Sequence, residues 1–368
     1  MTSERHVQVI TKLVVALGSV IALVALALFV APTEKLLAKR SVLKQVQDRG
    51  YLKCGITGHQ PAFSLKVSTL DADDNKLQKS DHSTGLYESA EGLEADLCKA
   101  IAIAIFGEWS SRLYFRNLDA NFDKRIEALH EGEIDILFRS TSMRALNNVA
   151  HDIDQGPVVL FDPVTLLTPI DVTSINDAAL VDARICAIEH TLPNDVMKRY
   201  LNDNNTQWTL LYKEPDETPY TNFVHTTKAL QKGNCTAILG RYSTLYQYKS
   251  RNKEGTNTKL IPLGKNYHVP LVPIFVENDS DWHDLILQTI WTLLDAEIKD
   301  INTSNIPSGY REAHWRRMSL DVNNAQNMIR LLGNYGEIYQ RNFGDILPER
   351  GANQHYLLSP DGALFSAP

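Results

Sequence analysis

The feature that most constrains this chain is a strand–helix alternation that runs once, stops, and runs again. Residues 51–56 (YLKCGI) read as a strand, and Leu93, Leu97, Ile101 and Ile105 then repeat at i+4 as an amphipathic helix stopped by Gly107. A strand near residues 113–115 follows, then a helix marked by Phe122, Ile126 and Leu129 and closed by Gly132, then an apolar strand over residues 134–138. After Pro169 the pattern restarts, with strands at 184–188, 208–212 and 235–239 separated by helices at 193–202 and 223–231. Two βαβαβ runs predict two parallel sheets in an α/β fold, with ligands placed at the carboxyl ends of the strands.

The flanking segments complete the organisation. A short helix begins at Ser41, carries Val42, Leu43 and Val46 on one side and ends at Gly50. Residues 66–90 are rich in Asp, Ser and Lys without periodicity and read as a surface insertion. Trp282, Ile286, Ile290, Leu293 and Leu294 mark a later helix capped by Asp279 or Ser280, and residues 320–342 read as helix with a break at 333–336.

Residues 13–31 form 19 positions without a charge, long enough to cross a bilayer core as a helix. The small-x-small triplet Ala25-Leu26-Ala27 lies inside that run, so an uncleaved anchor is favoured over a cleaved signal, which stays open as the alternative. Lys35, Lys39, Arg40 and Lys44 outnumber Arg5 and Lys12, which by the positive-inside rule would keep the large domain in the cytoplasm. The cysteines argue the other way. Cys54, Cys98, Cys186 and Cys235 show no zinc spacing, and two disulfides in an oxidising compartment account for them, four free thiols being the alternative. With two in each half, Cys54 with Cys98 and Cys186 with Cys235 is the expected pairing.

The balance of 37 basic against 44 acidic residues, a net charge of −7, argues against nucleic-acid binding, which draws its affinity from cations on phosphates. The sequence holds no phosphate loop, no dinucleotide fingerprint, no nucleophile elbow and no H-E-x-x-H. No catalytic residue, metal or cofactor is expected.

Five ordered segments resemble the solute-binding proteins of polar-amino-acid ABC importers, and within them the general L-amino-acid-binding branch. They are Val42-Leu43 through Gly55, Pro61-Ala62-Phe63-Ser64, GLEADLCKAIAIAIFG (92–107), ALHEGEIDIL (128–137) and GNYGEIYQRNFG (333–344). Cys186 and Cys235 also fall where that branch has its second cysteine pair. The resemblance implies a two-lobed clamshell of the Venus-flytrap type, with an N-terminal segment over residues 1–40, a first lobe over 41–164, a second over 165–274 and a return to the first over 275–368, crossed near residues 158–168 and 270–276, that encloses a small polar or anionic, amino-acid-like solute and delivers it to an inner-membrane permease. It places the folded part in the periplasm.

The departures from that family define the candidate site. By the resemblance, the carboxylate-binding Arg position holds Asn147, unless the register shifts and recruits Arg144; the ammonium-binding Asp position holds Arg241; and a Gly-Thr-Thr loop is replaced by His190-Thr191-Leu192. Phe63 as a lid, with a core position as the alternative, Arg139, Ser140, Thr141 and Ser142 at a strand end, with Arg139 as a pin of the loop as its alternative, and Thr191 as an anion contact complete the expected ligand set. Two alternatives remain open at this point. One is a sensor or docking protein with a decayed site; the other is an enzyme of dehydratase or glycan-cleaving type, with Glu189 and His190 as an acid/base pair.

Overall fold

In a computed structural model, residues 41–67, 85–118, 121–138, 141–142, 151–251, 257–347 and 349–366 are described. The apolar residues 13–31 lie outside them; among the described residues no helix is long and apolar enough to cross a membrane.

The two runs of alternation form two sheets. In the first, Leu52–Ile56 lies between Leu113–Asn117 and Ile136–Leu137, all parallel, with Cys54 opposite both Phe115 and Ile136. Ile274–Val276 joins it antiparallel, pairing Ile274 with Leu137 on one side and Gln155 on the other. In the second sheet Arg184–Cys186 lies between Thr209–Leu211 and Ala237–Arg241, again parallel. Leu160–Pro169 connects the two systems. Its second half pairs antiparallel with Ala237–Arg241 and Thr258–Pro262, while its first half pairs with His268–Leu271. Both connections lie where the resemblance placed the crossings.

The helices start and stop where their chemistry dictates. Val42–Arg49 ends at Gly50 in the left-handed conformation (φ 84°). The Asp279 carboxylate caps Ser280–Ile298 through the Trp282 N–H at 3.1 Å and also accepts from the Val42 N–H at 2.6 Å, so one side chain fixes the starts of two helices. Leu93–Phe106 differs from its amphipathic reading, since it is buried on nearly every side. Its two acids are inside and bonded: the Ser64 hydroxyl donates to Glu94 at 2.8 Å, and Lys99 and Arg341 reach Asp96 at 3.0 and 2.9 Å.

The segment 333–344 explains itself structurally. Gly333 has φ 82°, Asn334 and Glu337 form a reciprocal capping box on Tyr335–Phe343, and the buried Tyr335 hydroxyl donates to the Val159 carbonyl at 2.6 Å. Arg341 and Asn342 bind Asp96, and Phe343 meets Phe63 edge to face at 5.1 Å. The most specific stretch of the resemblance is therefore a clamp between the first sheet's helices and the start of the crossing strand. Both expected disulfides are present, Cys54–Cys98 tying the first strand to the helix Leu93–Phe106 and Cys186–Cys235 tying the second sheet to the turn before its central strand. Among the described residues no cysteine is free.

Candidate functional site

A cavity of about 560 Å³ opens between the two sheets at the carboxyl ends of their parallel strands. From the first side it is lined by Phe122 and Arg125 on the helix Phe122–His130 and by Thr141 and Ser142 beyond Ile136–Leu137. From the second side come Ile188 and the residues His190 to Pro193, Phe223, and the strand end Leu239-Gly240-Arg241 with Thr244. The position follows from topology, since every parallel strand points its carboxyl end at the same gap.

The wall at Thr141 and Ser142 is held by the second crossing segment. The Val272 N–H donates to the Thr141 carbonyl at 2.9 Å, and Ser142 bridges Leu271. Opposite it, His190 takes a left-handed conformation (φ 58°) that turns the chain into the helix Leu192–Asp203. Thr191 occupies the N-cap position without capping: its hydroxyl donates instead to the Ile188 carbonyl at 2.9 Å, where the Asn194 amide joins it at 2.8 Å. The first turn of that helix, with Pro193 lacking an N–H and the Asn194 N–H donating to the Thr191 carbonyl at 3.0 Å, meets the cavity without a side-chain cap.

Arg241 enters at the end of Ala237–Arg241, opposite Val164 of the crossing strand. Its Nε lies 3.9 Å from the carboxylate of Asp162, which is fully buried. Asp162 also accepts from the Ser243 backbone N–H at 3.2 Å and from the Ser243 hydroxyl. Burial pushes the Asp162 carboxyl above the ordinary carboxylate range, against the opposing pull of Arg241 and of the two Ser243 donors. Asp162, an acid of the crossing strand whose sequence context reads as structural, thus sits behind Arg241 and lines no part of the cavity. Among the described residues lining the cavity there is no Asp or Glu.

The expected ligand set divides three ways. Thr141, Ser142, Thr191 and Arg241 meet at the cavity. Arg139, Ser140, Arg144 and Asn147 lie outside the described residues. Phe63 is elsewhere: at 1% exposure it belongs to the core under the first sheet's helices, packed on Phe343, because the following Ser64 is drawn inward by Glu94. Sequence reasoning passed over Arg125 and Phe122, although a guanidinium one turn after an aromatic at a helix start is a legible pair; here Arg125 lies over the Phe122 ring, 5.2 Å from its centroid. The Glu189–His190 pair is 3.8 Å apart with side chains 60% and 89% exposed, far from the dry surroundings that would tune an acid and a base.

No family model matches the chain. It is 26% identical over 349 residues to the putative amino-acid ABC transporter-binding protein YhdW of Escherichia coli K12, covering 89% of this chain and 92% of the relative. It is 25% identical over 348 residues to the general L-amino acid-binding periplasmic protein AapJ of Rhizobium johnstonii, covering 90% and 93%. Among solved structures it is similar to an ABC transporter periplasmic binding protein from Brucella ovis with glutathione bound, at a TM-score of 0.67 and 22% identity, covering 89% of this chain and 99% of that one. The resemblance read from the five segments stands: the chain's relatives are amino-acid ABC transporter-binding proteins, and its α/β fold is that of periplasmic binding proteins.

Proposed function

We propose that this chain is the extracytoplasmic solute receptor of an ABC importer, tethered by residues 13–31, that closes its two lobes on a small amino-acid-like or anionic solute and presents it to a permease. The observation that supports this reading best is the cavity itself, whose walls come from both sheets at their strand ends and from both sides of the crossing strands. Arg241, Thr191, Thr141 and Ser142 are the ligand contacts in this reading, and residues 41–164 with 275–368 form one lobe against 165–274. No catalytic step is assigned to Glu189 or His190.

A ligand that touches both walls gains its full set of contacts only when the walls approach, so binding is expected to draw the lobes together. Small-angle scattering of the full chain with and without a saturating ligand tests this, and the expected result is a smaller radius of gyration. Deletion of the chain should also abolish uptake of that ligand by the host cell. An unchanged radius despite measurable affinity rejects the two-lobe mechanism, and undiminished uptake rejects the transport role.

A further inference from the structure

Among its described lining residues the cavity carries two guanidinium groups, Arg125 on the first wall and Arg241 on the second, beside the start of the helix Leu192–Asp203. Thr141, Ser142, Thr191 and Thr244 with the His190 imidazole add to the polar lining, and none of the described lining residues is an acid. Asp162 balances Arg241 from behind and is fully buried, so no ligand atom reaches it. Among the described lining residues a free amino acid would find donors for its carboxylate and no carboxylate for its ammonium. The ammonium would instead lose water close to guanidinium groups, a like-charge arrangement that a low-dielectric cavity makes worse.

We infer that the ligand is a small dicarboxylate whose amine is absent or acylated, bridged between Arg241 and Arg125. Planar guanidinium groups bind carboxylates bidentately, and two of them on opposite walls suit a ligand with two such groups at its ends. An acyl group on nitrogen removes the charge that the lining cannot balance and leaves an amide N–H and C=O for the hydroxyls. This inference rests on the receptor reading above and names the class of solute for the same cavity.

Calorimetric titration of the full chain with glutarate, N-acetyl-L-glutamate, L-glutamate, L-glutamine and L-arginine is the test. Glutarate and N-acetyl-L-glutamate are expected to bind at least about tenfold more tightly than L-glutamate, and L-glutamine and L-arginine more weakly still. Arg125→Gln should weaken glutarate by at least about tenfold, the loss of one charge-assisted carboxylate contact. Tight binding of L-glutamine or L-arginine, equal to that of glutarate or better, overturns the dicarboxylate class while leaving a solute receptor in place. Absence of binding by all five compounds also overturns the class, and the uptake experiment then judges the receptor role separately. If Arg125→Gln keeps both the wild-type melting temperature and the wild-type affinity for glutarate, the bridge is overturned; if that variant fails to fold, the five-compound panel on the wild type decides.

Discussion

Reduction of both disulfides should lower the unfolding free energy by about 3–4 kcal/mol per bond, the largest stability change expected for this chain. The bonds close loops of similar size, with sequence separations of 44 and 49, and each joins a strand of a parallel sheet to an element that is distant in sequence. Cys54, Cys98 and Cys186 are fully buried and Cys235 nearly so, which means that reductant reaches them chiefly through the unfolded chain. Urea unfolding with and without a reductant measures the difference, with the denaturant slope checking that the unfolded state expands once the links are gone. A combined change below about 1 kcal/mol would show that these links do not restrict the unfolded chain as loop-closure entropy requires. Non-reducing peptide mapping should recover the same two pairs and no free thiol.

The fold was legible because its determinants are local and repeated. The helix Phe223–Gln231 lies at the expected positions, bounded by the Asn222 cap, and Leu93–Phe106 stops at Gly107 as its sequence demands. The strands came out shorter than their apolar runs: residues 134–138 yield only Ile136–Leu137, because an apolar run reports burial and a ladder also needs a partner in register. Tyr242–Arg251 escaped notice as a helix because four of its ten residues are aromatic or β-branched and its apolar spacing is irregular. Of the candidate ligand residues, Thr141, Ser142, Thr191 and Arg241 line the cavity because they follow strands, whose ends this topology turns toward the gap. Phe63, open between lid and core by sequence, belongs to the core. An aromatic in a loop after a strand looks like a lid, and only the long-range pairing of Phe63 with Phe343, 280 positions later, shows it to be core. Asp162 was invisible as a partner of Arg241 because nothing in sequence joins positions 79 apart on antiparallel strands.

That last contact changes what substitution at Arg241 should do. Comparison with the family alone suggests Arg241→Asp, which would restore an acid for a ligand ammonium. In the structure the same change removes the cation 3.9 Å from a buried carboxylate and installs a second carboxylate beside it. The expected cost is about 2–3 kcal/mol at neutral pH, below the full value for breaking a buried pair because Arg241 is partly exposed. Its pH dependence has a definite sign. The folded-state pKa of Asp162 is raised by burial, so between the ordinary carboxylate pKa near about 4 and that raised value the folded chain holds a proton that the unfolded chain has released. Stability therefore falls as pH rises through this window, and the Arg241→Asp penalty is fully expressed above it and shrinks toward about pH 4. Asp162→Asn removes the titrating group and should flatten that part of the profile. Combining Arg241→Asp with Asp162→Asn leaves a single acid at the position facing the cavity, with no charge beneath it. The pair should recover stability relative to Arg241→Asp alone, lose glutarate binding, and gain affinity for neutral amino acids such as L-glutamine by at least about tenfold. Thermal melts across pH and calorimetry on wild type, both single variants and the double variant test the whole scheme. If Arg241→Asp melts with the wild type at neutral pH, Asp162 and Arg241 are not coupled. If the double variant gains nothing toward neutral amino acids, the charge of residue 241 does not select the ligand.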